Sequence, residues 1–264
     1  MARVELALGI AAAALMAFVT VQAVGRSTAP RSSTPTMPAG DAGIDNSAGA
    51  PGVDVHAATL GTISTLTAPR VDTALVRRRL RLEGDGTYIG ELLATQDSLL
   101  ARWPERDERN PLRVWVQPPP TSNASWRSQY ASDVDAAFAD WLRPGIPLRI
   151  REVRDSAAAD IHILWIQRFP NDMRIGNTLR LTDQHGWIVG GTITAALEQP
   201  DGTPLVPQLI RLTLVHEVGH VLGLGHTRDS TSAMAERAYR SAELGASDHR
   251  TAALLYRLPP GRVP

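Results

Sequence analysis

The chain has 264 residues, 43% of them apolar and 20% charged, and carries no net formal charge. It can therefore build one ordinary core with accessories, but it lacks the basic excess expected of a nucleic-acid-binding protein. It contains no cysteine, which excludes disulfide scaffolds, thiolate nucleophiles and cysteine-held zinc.

Leu6 to Val21 is apolar almost without break and follows Arg3. A run of roughly 16–19 apolar residues falls between a signal-peptide core and a short membrane span. Residues 1–25 are thus expected to be a signal peptide or an N-terminal membrane anchor, with Val21-Gln22-Ala23 as a small-residue cleavage site. Either makes the protein exported: periplasmic, extracellular or membrane-anchored facing outward. Residues 26–70 are rich in Ser, Thr, Pro, Ala and Gly. They bury too little apolar surface to offset their ordering entropy and read as a disordered linker.

Residues 71–110 form a leading segment with three open roles: a propeptide, a partner-binding arm or part of the following domain. Its cluster Arg77-Arg78-Arg79 with Arg81 reads first as a solvated helix face, with a nucleic-acid patch and an exposed processing site as the alternatives. Gly90 to Trp103 has helical spacing, through Leu92, Leu93, Leu99, Leu100 and Trp103, and stops at Pro104.

Residues 111–264 read as an α/β domain. Leu112 to Gln117 alternates as a strand, and Ser125 to Leu142 is an amphipathic helix stopped by Pro144-Gly145. Pro147 to Val153 alternates again, and Ile161 to Ile166 is a more buried strand. Asn177 to Thr182 and Trp187 to Ala195 form two further strands around the turn Asp183-Gln184-His185-Gly186. Leu209 to Leu222 is a helix, and Ser247 to Tyr256 a last short one that Ser247 can cap.

The chemistry concentrates in His216-Glu217-Val218-Gly219-His220-Val221-Leu222-Gly223-Leu224-Gly225-His226. Two histidines four apart on a helix project from one face and can converge on one zinc ion at about 2.0–2.1 Å. Glu217 can reach beside that metal and take a proton from zinc-bound water. Gly223 breaks the helix, so the chain can turn and bring in His226 as a third ligand. Three protein ligands leave one position for water, as in catalytic sites. The two-histidine core alone arises by chance in roughly one such chain in a hundred; the full pattern in roughly one in a hundred thousand.

This pattern resembles the metzincin signature of zinc metalloproteases. Met234 stands eight residues after His226, Thr227 follows the third histidine, and Asp229 lies between histidine and methionine. In these features, and in the closing helix, the chain is similar to the matrixin group, in a bacterial-type form. The resemblance spans Leu112 to Leu258. It implies a zincin-like α+β fold, with a twisted five-stranded mixed sheet and three helices. It also implies one catalytic zinc ion on His216, His220 and His226, with Glu217 as general base and with Gly223 and Met234 as support. Protein or peptide substrates would lie extended along an antiparallel edge strand, Asn177, Thr178, Leu179, Arg180, Leu181 and Thr182. No nucleic acid is implied.

The sequence departs from the matrixin pattern where Ala235-Glu236 replaces Tyr-Pro after the methionine. Some metzincins place a tyrosine there; Tyr239 is the nearest candidate. The propeptide cysteine of many matrixins cannot exist here. Three other readings compete: a non-catalytic zinc-stabilised peptide-binding module, a thermolysin-like site with Glu236 or Glu243 as third ligand, and a membrane-anchored structural protein, against which Glu217 argues. His56, in the linker, and His162, His185 and His249 read as ordinary linker, strand, turn and surface residues.

Overall fold

The computed structural model describes residues 66–121, 123–142, 145–170, 173–236 and 243–263. The apolar run at 6–21, His56 with the linker as far as residue 65, and Tyr239 lie outside the described residues. Among the described residues, no helix is long and apolar enough to cross a membrane.

Helix α1 (Thr73–Glu83) opens at Asp72, whose carboxylate accepts the Leu75 N–H at 3.0 Å. An acidic N-cap satisfies one of the free N–H groups of the first turn. Arg77, Arg78 and Arg81 stand on its exposed side and Val76 is buried. The single helix expected from Gly90 to Trp103 is instead a helix, a turn and a strand: α2 (Ile89–Thr95), then β1 (Leu99–Leu100). Between them Asp97 and Ser98 have φ values of 50° and 60°. These left-handed conformations cannot propagate a right-handed helix.

Strand β2 (Leu112–Val116) leads to α3 (Ala124–Leu142). Asn123 caps α3, its side-chain oxygen accepting the Ser125 and Trp126 N–H groups at 3.0 and 3.3 Å. Then follow β3 (Ile150–Glu152), a short 3-10 turn at Ser156–Ala158, β4 (Ile161–Ile166), β5 (Gly176–Thr182) and β6 (Ile188–Ala196). Helix α4 (Pro207–Val221), helix α5 (Ala246–Arg257) and strand β7 (Gly261–Arg262) complete the chain. Ser247 does not cap α5. Gly245 is the N-cap, and Asp248 reaches back to accept its N–H at 2.8 Å. A carboxylate in the first turn is favoured there by the helix dipole as well.

The main sheet has the order β3-β2-β4-β6-β5. The β2–β3, β2–β4 and β4–β6 pairs are parallel, and β5 pairs antiparallel with β6 at the edge. This is the five-stranded mixed sheet the resemblance implies. Among the described residues, the stretch from β2 to α5 carries three α-helices, α3, α4 and α5, as expected; α1 and α2 of the leading segment add two more. β1 and β7 form a separate antiparallel pair.

One hydrophobic cluster runs through these layers. It joins Trp141, Ile161, Ile163, Ile193, Leu214, Val218 and Leu255 to Tyr88, Ile89, Leu92, Leu100 and Trp103 of the leading segment. Leu92, Leu100 and Trp103 have no exposed surface. Burying each such side chain is worth about 1.5–3 kcal/mol, so α2 and β1 are held by the same burial that holds the sheet.

Candidate metal centre

Helix α4 carries His216 and His220 one turn apart, so both rings leave one face. Gly223 then turns the chain at φ 111°, a left-handed value that costs glycine little because it has no Cβ. The Nε2 atoms of the three histidines end 3.0 Å (His216–His220), 3.1 Å (His220–His226) and 3.2 Å (His216–His226) apart.

Two of the outer nitrogens are already engaged. His216 Nδ1 lies 2.7 Å from the Ala233 carbonyl, and His220 Nδ1 3.0 Å from the Leu224 carbonyl. A carbonyl only accepts, so each Nδ1 carries the proton and donates it. Each Nε2 is left with a lone pair, and these lone pairs face each other, which is repulsive unless a cation lies among them. Tetrahedral zinc bound at about 2.0–2.1 Å spaces its nitrogens about 3.3 Å apart, close to the observed triangle. The histidines therefore fit one zinc ion with a fourth position open. Among the described residues they are the only group of His, Asp or Glu side chains so placed. Glu236 and Glu243 stand outside it, as do His162, His185 and His249. His162 bonds instead to the Ser156 carbonyl at 2.9 Å, and the His185 backbone N–H to Asp183 at 2.9 Å.

Glu217 is 6% exposed. Its Oε2 accepts the Thr178 hydroxyl at 2.6 Å, and the same hydroxyl lies 3.0 Å from the Glu217 carbonyl. Burial pushes the Glu217 carboxyl above its usual range, while His216, Thr178 and Arg174 pull it back.

Met234 is fully buried and lies directly under α4. A Cβ at Gly219 would fall 2.3 Å from its sulfur and 2.8 Å from Trp141, so only glycine lets helix and methionine approach so closely. The turn around Met234 is tied on both sides. Thr227, next to His226, donates its N–H to the Met234 carbonyl at 2.9 Å. Asp248 accepts the Ser232 hydroxyl and, at 3.2 Å, the Ala233 N–H. The turn thereby holds the Ala233 carbonyl against His216. Asp229 closes the preceding bend by accepting the Thr231 N–H and hydroxyl at 2.9 and 2.7 Å.

The end of α4 needs carbonyl partners, because its last C=O groups have none within the helix. Besides backbone N–H groups, three side chains bond to them, two from β5 and α5 and one from the stretch after β1. Arg180 of β5 donates to the His220 carbonyl at 2.9 Å, Trp103 to Val221 at 2.9 Å and Tyr256 of α5 to Leu222 at 3.0 Å. Arg180 is 2% exposed, so the edge strand puts a buried guanidinium behind a histidine of the triad. Burial also raises the Tyr256 phenol far above its usual range, keeping it a neutral donor.

The structure brings His216, Glu217, His220, Gly223, His226 and Met234 together. It sets Asn177, Thr178, Leu179, Arg180, Leu181 and Thr182 on the antiparallel edge strand beside α4. The side-chain parts played by Thr178, Arg180, Trp103 and Tyr256 were not read from sequence. The alternating polar trio Thr178, Arg180 and Thr182 was the one available signal, since polar residues at every second position of a strand share one face. The matrixin family model, Peptidase_M10, matches residues 115–257, more than half of the 264-residue chain. No curated protein matches the chain.

Proposed function

Because the chain belongs to the matrixin family of zinc metallopeptidases, we propose that it is an endopeptidase acting on extended protein or peptide substrates. The carrying observation is the triangle of Nε2 atoms 3.0–3.2 Å apart, with the buried Glu217 carboxylate on the same helix. His216, His220 and His226 would hold one zinc ion, which when bound would supply a Lewis acid for the scissile carbonyl and for water. Glu217 takes the proton from the attacking water and passes it to the leaving amine. The new C–O bond replaces the C–N bond, and the proton ends on nitrogen. Thr178 holds one carboxylate oxygen at 2.6 Å, leaving the other to receive the proton. β5, at the end of the sheet, would receive an extended peptide along its outer side by strand addition. Met234 supports the histidines and does no chemistry. The apolar run at 6–21 and the low-complexity stretch after it support export, with either a cleaved signal or a retained anchor.

The test compares the full chain with Glu217→Gln on a mixed peptide library, after zinc content is measured. One zinc per chain is expected in both, with cleavage by the wild type, loss with a chelator, and a drop of about 10²–10⁴-fold in the variant. Zinc in both proteins with cleavage by neither would replace the peptidase with a zinc-stabilised peptide-binding module. Absence of zinc from the wild type would end both readings.

A further inference from the structure

We propose that the leading segment is a permanent brace for the loop that carries the third histidine, and that Glu91 on α2 is a positioning residue for His226. This rests on the zinc-site reading above and concerns how that site is assembled and regulated.

The loop from Leu222 to Arg228 holds glycine at positions 223 and 225. Glycine loses more backbone freedom on ordering than any other residue. A segment with two of them that also carries a metal ligand therefore needs restraint from outside. The leading segment touches it at successive points. Just before the loop, Trp103 donates at 2.9 Å to the carbonyl of Val221, the last residue of α4. The Ala101 carbonyl lies 2.1 Å from where a Cβ on Gly223 would sit. Leu92, fully buried, lies 2.9 Å from the corresponding point on Gly225. Beyond the histidine, Glu91 Oε2 accepts the Arg228 N–H at 2.8 Å. Hence α2 spans the loop on both sides of His226.

The same segment also reaches the support of the methionine turn. The Tyr88 N–H donates to the Thr251 hydroxyl at 3.0 Å. The Tyr88 phenol, raised well above its usual range by burial and by the Asp248 charge, stands beside the carboxylate that holds Ser232 and Ala233. All these contacts go to the backbone of the zinc loop or to its supports. A removable inhibitory propeptide would instead cover the open metal position, and its loss would uncover a finished site. Loss of this segment would leave cavities at Leu92 and Trp103 and free the loop.

The experiment measures zinc affinity by chelator competition in the full chain, alongside thermal unfolding and peptide turnover. Glu91→Ala is expected to weaken zinc binding roughly threefold to tenfold, below the 10–100-fold typical of direct partners of metal ligands. Glu91→Gln, which keeps an acceptor oxygen, is expected to restore it. Leu92→Ala should weaken zinc as well. Val76→Ala, in α1 and buried but away from the contacts named, should lower the melting temperature and leave zinc affinity unchanged. A cleavable sequence placed at the exposed Asp97 turn gives the second arm. Cutting there should lower zinc affinity and turnover together. Unchanged zinc affinity in both Glu91→Ala and Leu92→Ala, or a rise in turnover after cutting, overturns the brace. A wild type that binds zinc but cuts nothing removes the peptidase and leaves the brace measurable. A wild type without zinc removes both.

Discussion

The two edges of the main sheet both carry polar residues, and they use them in opposite ways. At one edge β3 is three residues long, with Arg151 and Glu152 exposed. Beside it Arg113 of β2 pairs with Asp160 at 2.8 Å, the arginine side chain 46% exposed and the aspartate 11%. At the other edge β5 is seven residues long, and Thr178, Arg180 and Thr182 are 2–4% exposed. Thr178 bonds to Glu217 and Arg180 to the carbonyl of His220. Charge in water is screened and a surface pair contributes little. A polar group out of water is expensive unless paired, and costly to unpair. Hence the edge that faces α4 acts as part of the site, whereas the β3 edge only finishes the sheet.

The sharpest way to break this contrast is Arg180→Ala. It should cost about 2–4 kcal/mol of stability, because the buried guanidinium leaves a gap and the His220 carbonyl keeps only the Gly223 N–H. Thermal unfolding measures it, and a loss under about 0.5 kcal/mol would make the two edges equivalent. Thr178→Val comes next. The shape is kept and the hydroxyl removed, so the fold should stand while kcat falls about tenfold or more with little change in KM. Thr178→Ser should recover most of the rate. An equal rate in the Val variant would mean that Glu217 needs no such restraint.

The smallest effect belongs to the solvated edge. Burial alone would raise the Asp160 carboxyl, but its bonds to the Arg113 side chain and backbone outweigh this and hold it below its usual value. A carboxyl lower in the folded than in the unfolded chain contributes stability above the unfolded value of about 3.9. That contribution is lost as pH falls through the lower, folded value. Asp160→Asn should therefore cost less than about 1 kcal/mol at neutral pH. The gap between variant and wild type should close as pH drops below about 4. A gap that stays constant down to strong acid would assign the effect to packing.

Much of the domain was legible because periodicity reports local geometry directly. Ile161–Ile166 has the bounds expected of it, and α3 and α4 begin and end within two residues of theirs. The strand expected from Pro147 to Val153 shortens to Ile150–Glu152, because an edge strand pairs only as far as its neighbour runs alongside. The helix expected from Gly90 to Trp103 failed because Leu99, Leu100 and Trp103 fit a helical stripe by spacing, but Leu100 and Trp103 are buried from a strand and extended backbone. Apolar spacing records which residues are buried and not the path between them. In β5, alternation by itself would turn Leu179 and Leu181 toward the core. Instead Thr178 and Arg180 are the more deeply buried, because the end of α4 presents carbonyls and a carboxylate that only donors can satisfy.

From the sequence alone came the order of the main elements and the metal-binding pattern. Both follow from short spacings: four residues place two histidines on one helical face, and a glycine lets the chain reverse. Tertiary structure alone decided what completes that pattern. Trp103, Arg180 and Tyr256 close the end of one helix from three distant parts of the chain. Glu91 secures the loop across 137 residues of chain. No local spacing encodes such partners, because they are chosen by which unpaired carbonyls and N–H groups remain once the core has packed.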